Sequence, residues 1–349
     1  MRRTLLTACF ATAFSILNLP PADCSANITF SRPAGVYSLT GVDQPTAPAV
    51  YRNANVAGVA VRASWAGLEP NDGVYSWSYL DNEVANAKAA GKKVSLYIAV
   101  SNPHVAPAWV YAAGAKYVNT SNGQTPVPWD PVFLKKWHDF VAALGARYSK
   151  ETTLSYVRGA TEALTDGWNM PSRDAQLWSA VGYTDAKILG ALQTSIADYE
   201  TAFPNTYQWG EVGNLNIEKA VTGNFADYVS GQIGMWGLAG SPYFGVWRED
   251  LDVCISDPPS SGFWTTLWDS NGRAGAQMIW SVRDGTDGSA TSWRMNPCQN
   301  SLFGTDDLIL EQAINIGLNY KMPYVEIYQV DVLDPELQTV LAYAAANLR

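Results

Sequence analysis

The sequence predicts an α/β fold, a single-domain (β/α)8 TIM barrel. Three observations predict it. Eight strand signals alternate with helix signals along the chain. Several strands are almost continuously apolar, as in parallel sheets covered by helices. The G-x-G-x-x-G turn that would mark an open, doubly wound sheet after an early strand is missing.

The elements follow in order. Strand signals begin at residues 34, 56, 93, 155, 207, 243, 274 and 323. The first is Ala34 to Leu39, and the second is Val56 to Trp65. A helix over Tyr79 to Ala90 has Asp81 near its start and Gly91 just past its end, which are start and stop signals. Lys93 to Val100 is the third strand. The segment Ser101 to Trp129 is too long for a plain connection and reads as a functional loop. Asp130-Pro131 opens a helix reaching Tyr148, with Asp as cap and Pro in the first turn. Ser155 to Ala160 is the fourth strand, ending at Thr161-Glu162. Helix Asp185 to Thr201, strand Tyr207 to Val212, helix Phe225 to Leu238 and strand Tyr243 to Trp247 come next. Then come helix Gly262 to Trp268, strand Ala274 to Val282, helix Thr305 to Leu318, strand Pro323 to Val330 and a closing helix, Pro335 to Leu348.

Residues 1–26 read as a signal peptide: Arg2-Arg3, an apolar run from Leu5 to Leu19, and small residues at Cys24-Ser25-Ala26. Residues 27–349 then form the catalytic barrel, in a secreted or periplasmic protein and as a monomer. Removing the leader takes away Cys9 and Cys24, so Cys254 and Cys298 are expected to form a disulfide between two loops. No other stretch approaches membrane-span length. The net charge of -9 with no basic patch argues against a nucleic-acid partner. With two histidines and no C-x-x-C, no metal site and no cofactor is expected. The chain holds 14 Trp and 18 Tyr, whose rings serve equally to fill a core or to stack on sugar faces.

Reactive groups of such barrels stand at the carboxyl ends of the strands. Glycosidic-bond hydrolysis needs two carboxyl groups, one giving a proton and one staying charged. Glu162, delivered by the apolar run Tyr156 to Ala160, is the candidate acid. Glu326, between Tyr324 and Tyr328 on the last strand, is the candidate nucleophile; its alternative is an ion pair with a barrel arginine, Arg62 or Arg158. Glu249 in Trp247-Arg248-Glu249-Asp250 is the rival second carboxylate, and Glu211 follows it. Arg62, Trp65, Tyr97, Asn102, His104, Trp109, Trp168, Trp209, Trp280 and Tyr328 are candidate contacts to an oligosaccharide or polysaccharide. Two alternatives stay open: an inverting hydrolase using Glu162 with Glu249 or Asp250, and a non-catalytic carbohydrate-binding barrel. Serine-hydrolase chemistry has no G-x-S-x-G elbow to support it.

The segment Val59 to Trp77, with Arg62, Trp65, Glu69-Pro70, Gly73 and Tyr75, resembles the clan A glycoside hydrolases, loosely their families 42 and 5. Leu80-Asp81, Val94 to Tyr97 and Pro107-Ala108-Trp109 continue the likeness, which spans roughly residues 56 to 162. The resemblance implies a retaining mechanism with the acid/base Glu after the fourth strand and the nucleophile at the end of the seventh. Thr161 precedes Glu162 where the clan has Asn, and the predicted seventh strand carries no Glu; Glu326 falls on the eighth.

Overall fold

The structure, a computed structural model, describes residues 32–100, 106–120, 123–159, 170, 174–212, 227–260, 262–283 and 305–349, with 227–231 described by backbone alone. Eight parallel strands close a barrel. They are β1 (Gly35–Leu39), β2 (Gly58–Ser64), β3 (Lys93–Ala99), β4 (Leu154–Arg158), β5 (Tyr207–Glu211), β6 (Phe244–Leu251), β7 (Ala274–Met278) and β8 (Tyr324–Tyr328). Every strand read from the sequence is present, and β1 pairs with β8 to complete the ring. The main helices are α1 (Ser78–Ala89), α2 (Pro131–Tyr148), α3 (Asp185–Ala202), α4 (Asp227–Gly240), α5 (Phe263–Asp269), α6 (Asp306–Asn319) and α7 (Gln338–Asn347).

Strand periodicity divides the apolar residues into two cores. On β2, Val59, Val61 and Ala63 face the helices, as do Val325 and Ile327 on β8. The opposite faces build a separate aromatic core inside the barrel from Tyr37, Tyr156, Tyr207, Trp209, Trp247 and Tyr324. Glycines make room for these rings. A Cβ on Gly58 would lie 2.3 Å from the Tyr37 ring, and one on Gly245 would lie 1.9 Å from the Trp209 ring.

Local chemistry explains the longest helices. Asp130 caps α2 by accepting the N–H groups of Val132 and Phe133 at 3.0 and 3.1 Å, and Pro131 occupies the first turn where its missing N–H costs nothing. Phe133, Trp137, Phe140, Val141, Leu144 and Tyr148 then recur on one face and are buried. α2 packs closely on α3 at Gly145, where a Cβ would meet the Ala202 carbonyl at 2.5 Å.

The structure alters several expectations. The long segment before α2 holds a short helix, Ala108–Ala112, and an antiparallel hairpin of Tyr117–Thr120 with Gly123–Pro126. β6 runs four residues past Trp247, because a register irregularity between Arg248 and Leu251 lets the strand continue through the charged run. Two expectations fall wholly or partly on residues outside the described ones. The expected leader, residues 1–26, lies outside the described residues. Of the expected Cys254–Cys298 bridge, only Cys254 lies within the described residues. Cys254 is disulfide-bonded, and Cys298 lies outside the described residues. Among the described residues no helix is long and apolar enough to cross a membrane, and no group of three or more His, Cys, Asp or Glu is arranged to hold a metal ion.

Candidate active site in the barrel mouth

Strand register sets the depth of each interior side chain, because tilted strands stagger by about one residue from neighbour to neighbour. From the amino ends of the strands upward, the interior layers are Gly58, Tyr156, Gly245 and Tyr324; then Tyr37, Ser95, Trp209 and Gly275; then Ala60, Arg158, Trp247 and Glu326. Above them come Leu39, Tyr97, Glu211 and Gln277, and then Arg62, Glu249 and Tyr328. Large residues in one layer thus stand over small ones in the next.

Glu326 lies deep in this stack and is fully buried. Its Oε1 accepts hydrogen bonds from Tyr156 Oη at 2.6 Å and from Tyr324 Oη. Its Oε2 faces Arg158 Nη2 at 3.9 Å. The Arg158 guanidinium carbon lies 4.2 Å from the Tyr97 ring centre and 3.8 Å from that of Trp247. Burial alone would lower the Arg158 pKa, but Glu326, then Tyr156, Tyr97 and Glu211 raise it, and the net direction is up. Burial, reinforced by Glu326, drives the Tyr156 hydroxyl well above its ordinary range, so it remains a donor. The alternative reading of Glu326, an ion pair with a barrel arginine, is therefore the arrangement present, with Arg158 as the arginine.

The other carboxylates stand higher. Glu211 ends β5, on the face of Trp209, and is 3% exposed. Glu249 is 9% exposed and stands on the irregular stretch of β6, in the layer of Arg62 and Tyr328. Asp250 is turned elsewhere: it pairs with Arg248, whose guanidinium lies over Phe263 and Trp264 at the start of α5. This removes Asp250 as a partner across the barrel mouth. Arg62 Nε donates to the Thr40 carbonyl at 2.8 Å.

Two of the expected sugar contacts, Trp65 and Trp209, are buried packing residues. Trp65 is fully buried among Trp109, Phe133, Trp137 and Phe140. Its Nε1 donates to Glu69 Oε2 at 2.7 Å, while Glu69 Oε1 accepts the Gly73 N–H at 2.8 Å and Trp109 Nε1 donates to the Glu69 carbonyl at 2.8 Å. Trp209 is in the interior floor, 1% exposed. Of the predicted contacts, Arg62, Tyr97 and Tyr328 do stand toward the mouth, and Trp280 is 36% exposed just beyond β7. Glu162, Asn102, His104 and Trp168 lie outside the described residues.

Sequence reasoning missed Gln277, which occupies β7 in the layer of Glu211 and hydrogen-bonds Tyr328 Oη through Nε2 at 3.3 Å. Its alternation with Gly275 was the available signal. It also missed Asp331, whose carboxylate accepts the N–H groups of Val282 and Arg283 at 2.8 and 3.1 Å and so anchors the chain leaving β7. A cavity of about 460 Å³ opens at the opposite end of the barrel, lined by Arg32, Tyr37, Lys93 and Tyr207. It contains none of the interior carboxylates.

Residues 49–165 match glycoside hydrolase family 42, described as beta-galactosidase. No curated protein shows a significant match to the sequence. Among solved structures, the catalytic domain of beta-amylase from Paenibacillus polymyxa is similar with a TM-score of 0.59 at 9% identity, covering 91% of this chain and 100% of that one. Native xylanase10C from Cellvibrio japonicus is similar with a TM-score of 0.51 at 14% identity, covering 92% of this chain and 72% of that one. At such identities the structural likeness is one of fold. The chain is a closed (β/α)8 barrel, of which residues 49–165 match the family 42 model.

Proposed function

We propose that this barrel hydrolyses a glycosidic bond of an oligo- or polysaccharide with retention, using Glu162 as acid/base and Glu249 as nucleophile. One observation carries the choice of Glu249. It stands on the irregular stretch of β6 in the uppermost described interior layer, whereas Glu326 is two layers deeper and held by two tyrosines and an arginine. Bulges near active sites re-aim a side chain in this way. Glu162 would give its proton to the leaving oxygen while Glu249 attacks the anomeric carbon, forming a glycosyl ester. Water, losing its proton to Glu162, would then release the sugar. Retention is the course that the resemblance of residues 56 to 162 to the clan A enzymes implies.

The test is a screen of aryl glycosides, xylan, starch and galactan with the wild type and with Glu162→Gln, Glu249→Gln and Glu326→Gln. On the substrate that is cleaved, the first two variants are expected to lose activity by about 10²-fold or more with folding intact, and proton NMR is expected to find the first product with the substrate's anomeric configuration. An active Glu249→Gln enzyme would remove Glu249 from the chemistry. A first product of opposite configuration would replace retention with inversion.

A further inference from the structure

Gln277 is an amide with one end fixed and the other unspent. It lies on β7, where Ala274, Ala276 and Met278 face the helices. Gly275, on the opposite face, would aim a Cβ at the rings of Tyr324, Trp209 and Trp247. Alternation therefore turns Gln277 into the barrel, above that aromatic floor. The residue is 4% exposed. Its Nε2 donates to Tyr328 Oη at 3.3 Å, and Tyr328 Oη donates in turn to the Ile279 carbonyl at 3.4 Å. A phenol has one proton to give. With that proton directed to Ile279, the phenolic oxygen accepts, and the amide presents its nitrogen to it. Oε1 is then turned away from Tyr328, buried and without a hydrogen-bond partner among the described residues. A buried carbonyl oxygen without a donor forfeits its hydration for nothing in return. Native interiors seldom keep one that no ligand or water serves. Glu326, its register partner on β8, lies one layer deeper and is engaged by Tyr156, Tyr324 and Arg158. The layer above Gln277 holds Glu249 and the half-buried Tyr328, so a group passing that layer from the mouth meets Gln277 next.

We propose that Gln277 is a specificity-determining residue of the barrel mouth: its Oε1 accepts a hydrogen bond from one hydroxyl of the sugar unit bound beside Glu249, and Tyr328 is the positioning residue that holds the amide for it. The sugar as ligand rests on the glycosidase reading; the orientation of the amide does not. An oxygen held in this way has only lone pairs to offer, so it demands a donor. It admits a free hydroxyl and rejects the deoxy, O-methyl or carboxylate-bearing counterpart at that position, because each leaves the oxygen unpaired or repelled.

The test compares the wild type with Gln277→Met, an apolar side chain of similar length, on the aryl glycoside that is cleaved and on its monodeoxy analogues. The wild type is expected to lose about tenfold or more in kcat/KM on one of the analogues. Gln277→Met is expected to lose about as much on the parent glycoside and to treat parent and analogue alike within about twofold, since the two changes remove the same contact. Its urea midpoint is expected to equal or exceed that of the wild type, because the unpaired oxygen is gone. A methionine variant that keeps the wild-type discrimination at every position overturns the inference; a buried water on Oε1 gives that result. A wild type indifferent to every deoxy position overturns it too. Should Gln277→Met not fold, Gln277→Asn serves, equally polar but a methylene shorter: lost discrimination is expected, and retained discrimination overturns the inference. If no glycoside is cleaved, calorimetric titration with D-galactose, D-glucose, D-xylose and their oligosaccharides replaces the kinetics. Binding that weakens about tenfold or more in Gln277→Met keeps the inference and refutes the enzymatic reading. Cleavage that Gln277→Met leaves unchanged does the reverse. Neither binding nor cleavage of any of these sugars overturns both.

Discussion

Asp331 is expected to make the fold less stable as the pH rises from acid to mildly alkaline. The carboxyl is fully buried just after β8, and burial pushes its pKa up from the ordinary 3.8 to about 7 against the two backbone N–H groups that favour its charged form. The like charges of Asp306 and Asp334 add to the rise. A folded pKa above the unfolded one means that the neutral form is the one favoured by folding. The stability it contributes is complete below about pH 4 and is lost as the pH rises through about 7. A shift from 3.8 to about 7 corresponds to about 4 kcal/mol at roughly 1.4 kcal/mol per unit. Asp331→Asn imitates the neutral acid and cannot ionise. Urea unfolding of both proteins, followed by tryptophan fluorescence between about pH 4.5 and about pH 8.5, isolates this carboxyl, because groups not coupled to it cancel in the difference. The variant is expected to gain on the wild type by up to about 4 kcal/mol across the range. A flat difference, or a wild type that gains with pH, would refute the reasoning: it would mean that the bonds from Val282 and Arg283 outweigh burial.

Two further substitutions probe the frame of the site. Gly245→Ala puts a Cβ 1.9 Å from the Trp209 ring and 2.9 Å from the Arg273 carbonyl, so thermal unfolding is expected to register a loss of about 3 kcal/mol or a failure to fold; a loss below about 1 kcal/mol would contradict the packing described for the barrel floor. Asp130→Ala strands the N–H groups of Val132 and Phe133 at the start of α2 and is expected to cost about 1 kcal/mol in urea unfolding, with Asp130→Asn recovering most of it.

Much of the barrel was legible because its strands are covered by helices outside and packed rings inside, and such strands announce themselves as short apolar runs between turn residues. α2 was legible from Asp130-Pro131, as cap and first-turn proline. Inward-facing residues could be read too, since Tyr324, Glu326 and Tyr328 alternate with Val325 and Ile327. The motif around Trp65 and Glu69 was recognisable, yet its residues serve packing: Glu69 spends both oxygens on Trp65 and Gly73.

The sequence by itself determined the order of strands and helices, the closed-barrel architecture and the set of carboxylates available to the mouth. Only the tertiary structure decided their depth. Alternation says which face of a strand a residue occupies, but height along the barrel axis depends on the stagger accumulated from strand to strand. That stagger sinks Glu326 to the level of Arg158, leaves Glu211 one layer above, and, with the irregularity in β6, raises Glu249 to the layer of Arg62. Alternation placed Glu326 inside the barrel, and the stagger set it beside the buried Arg158.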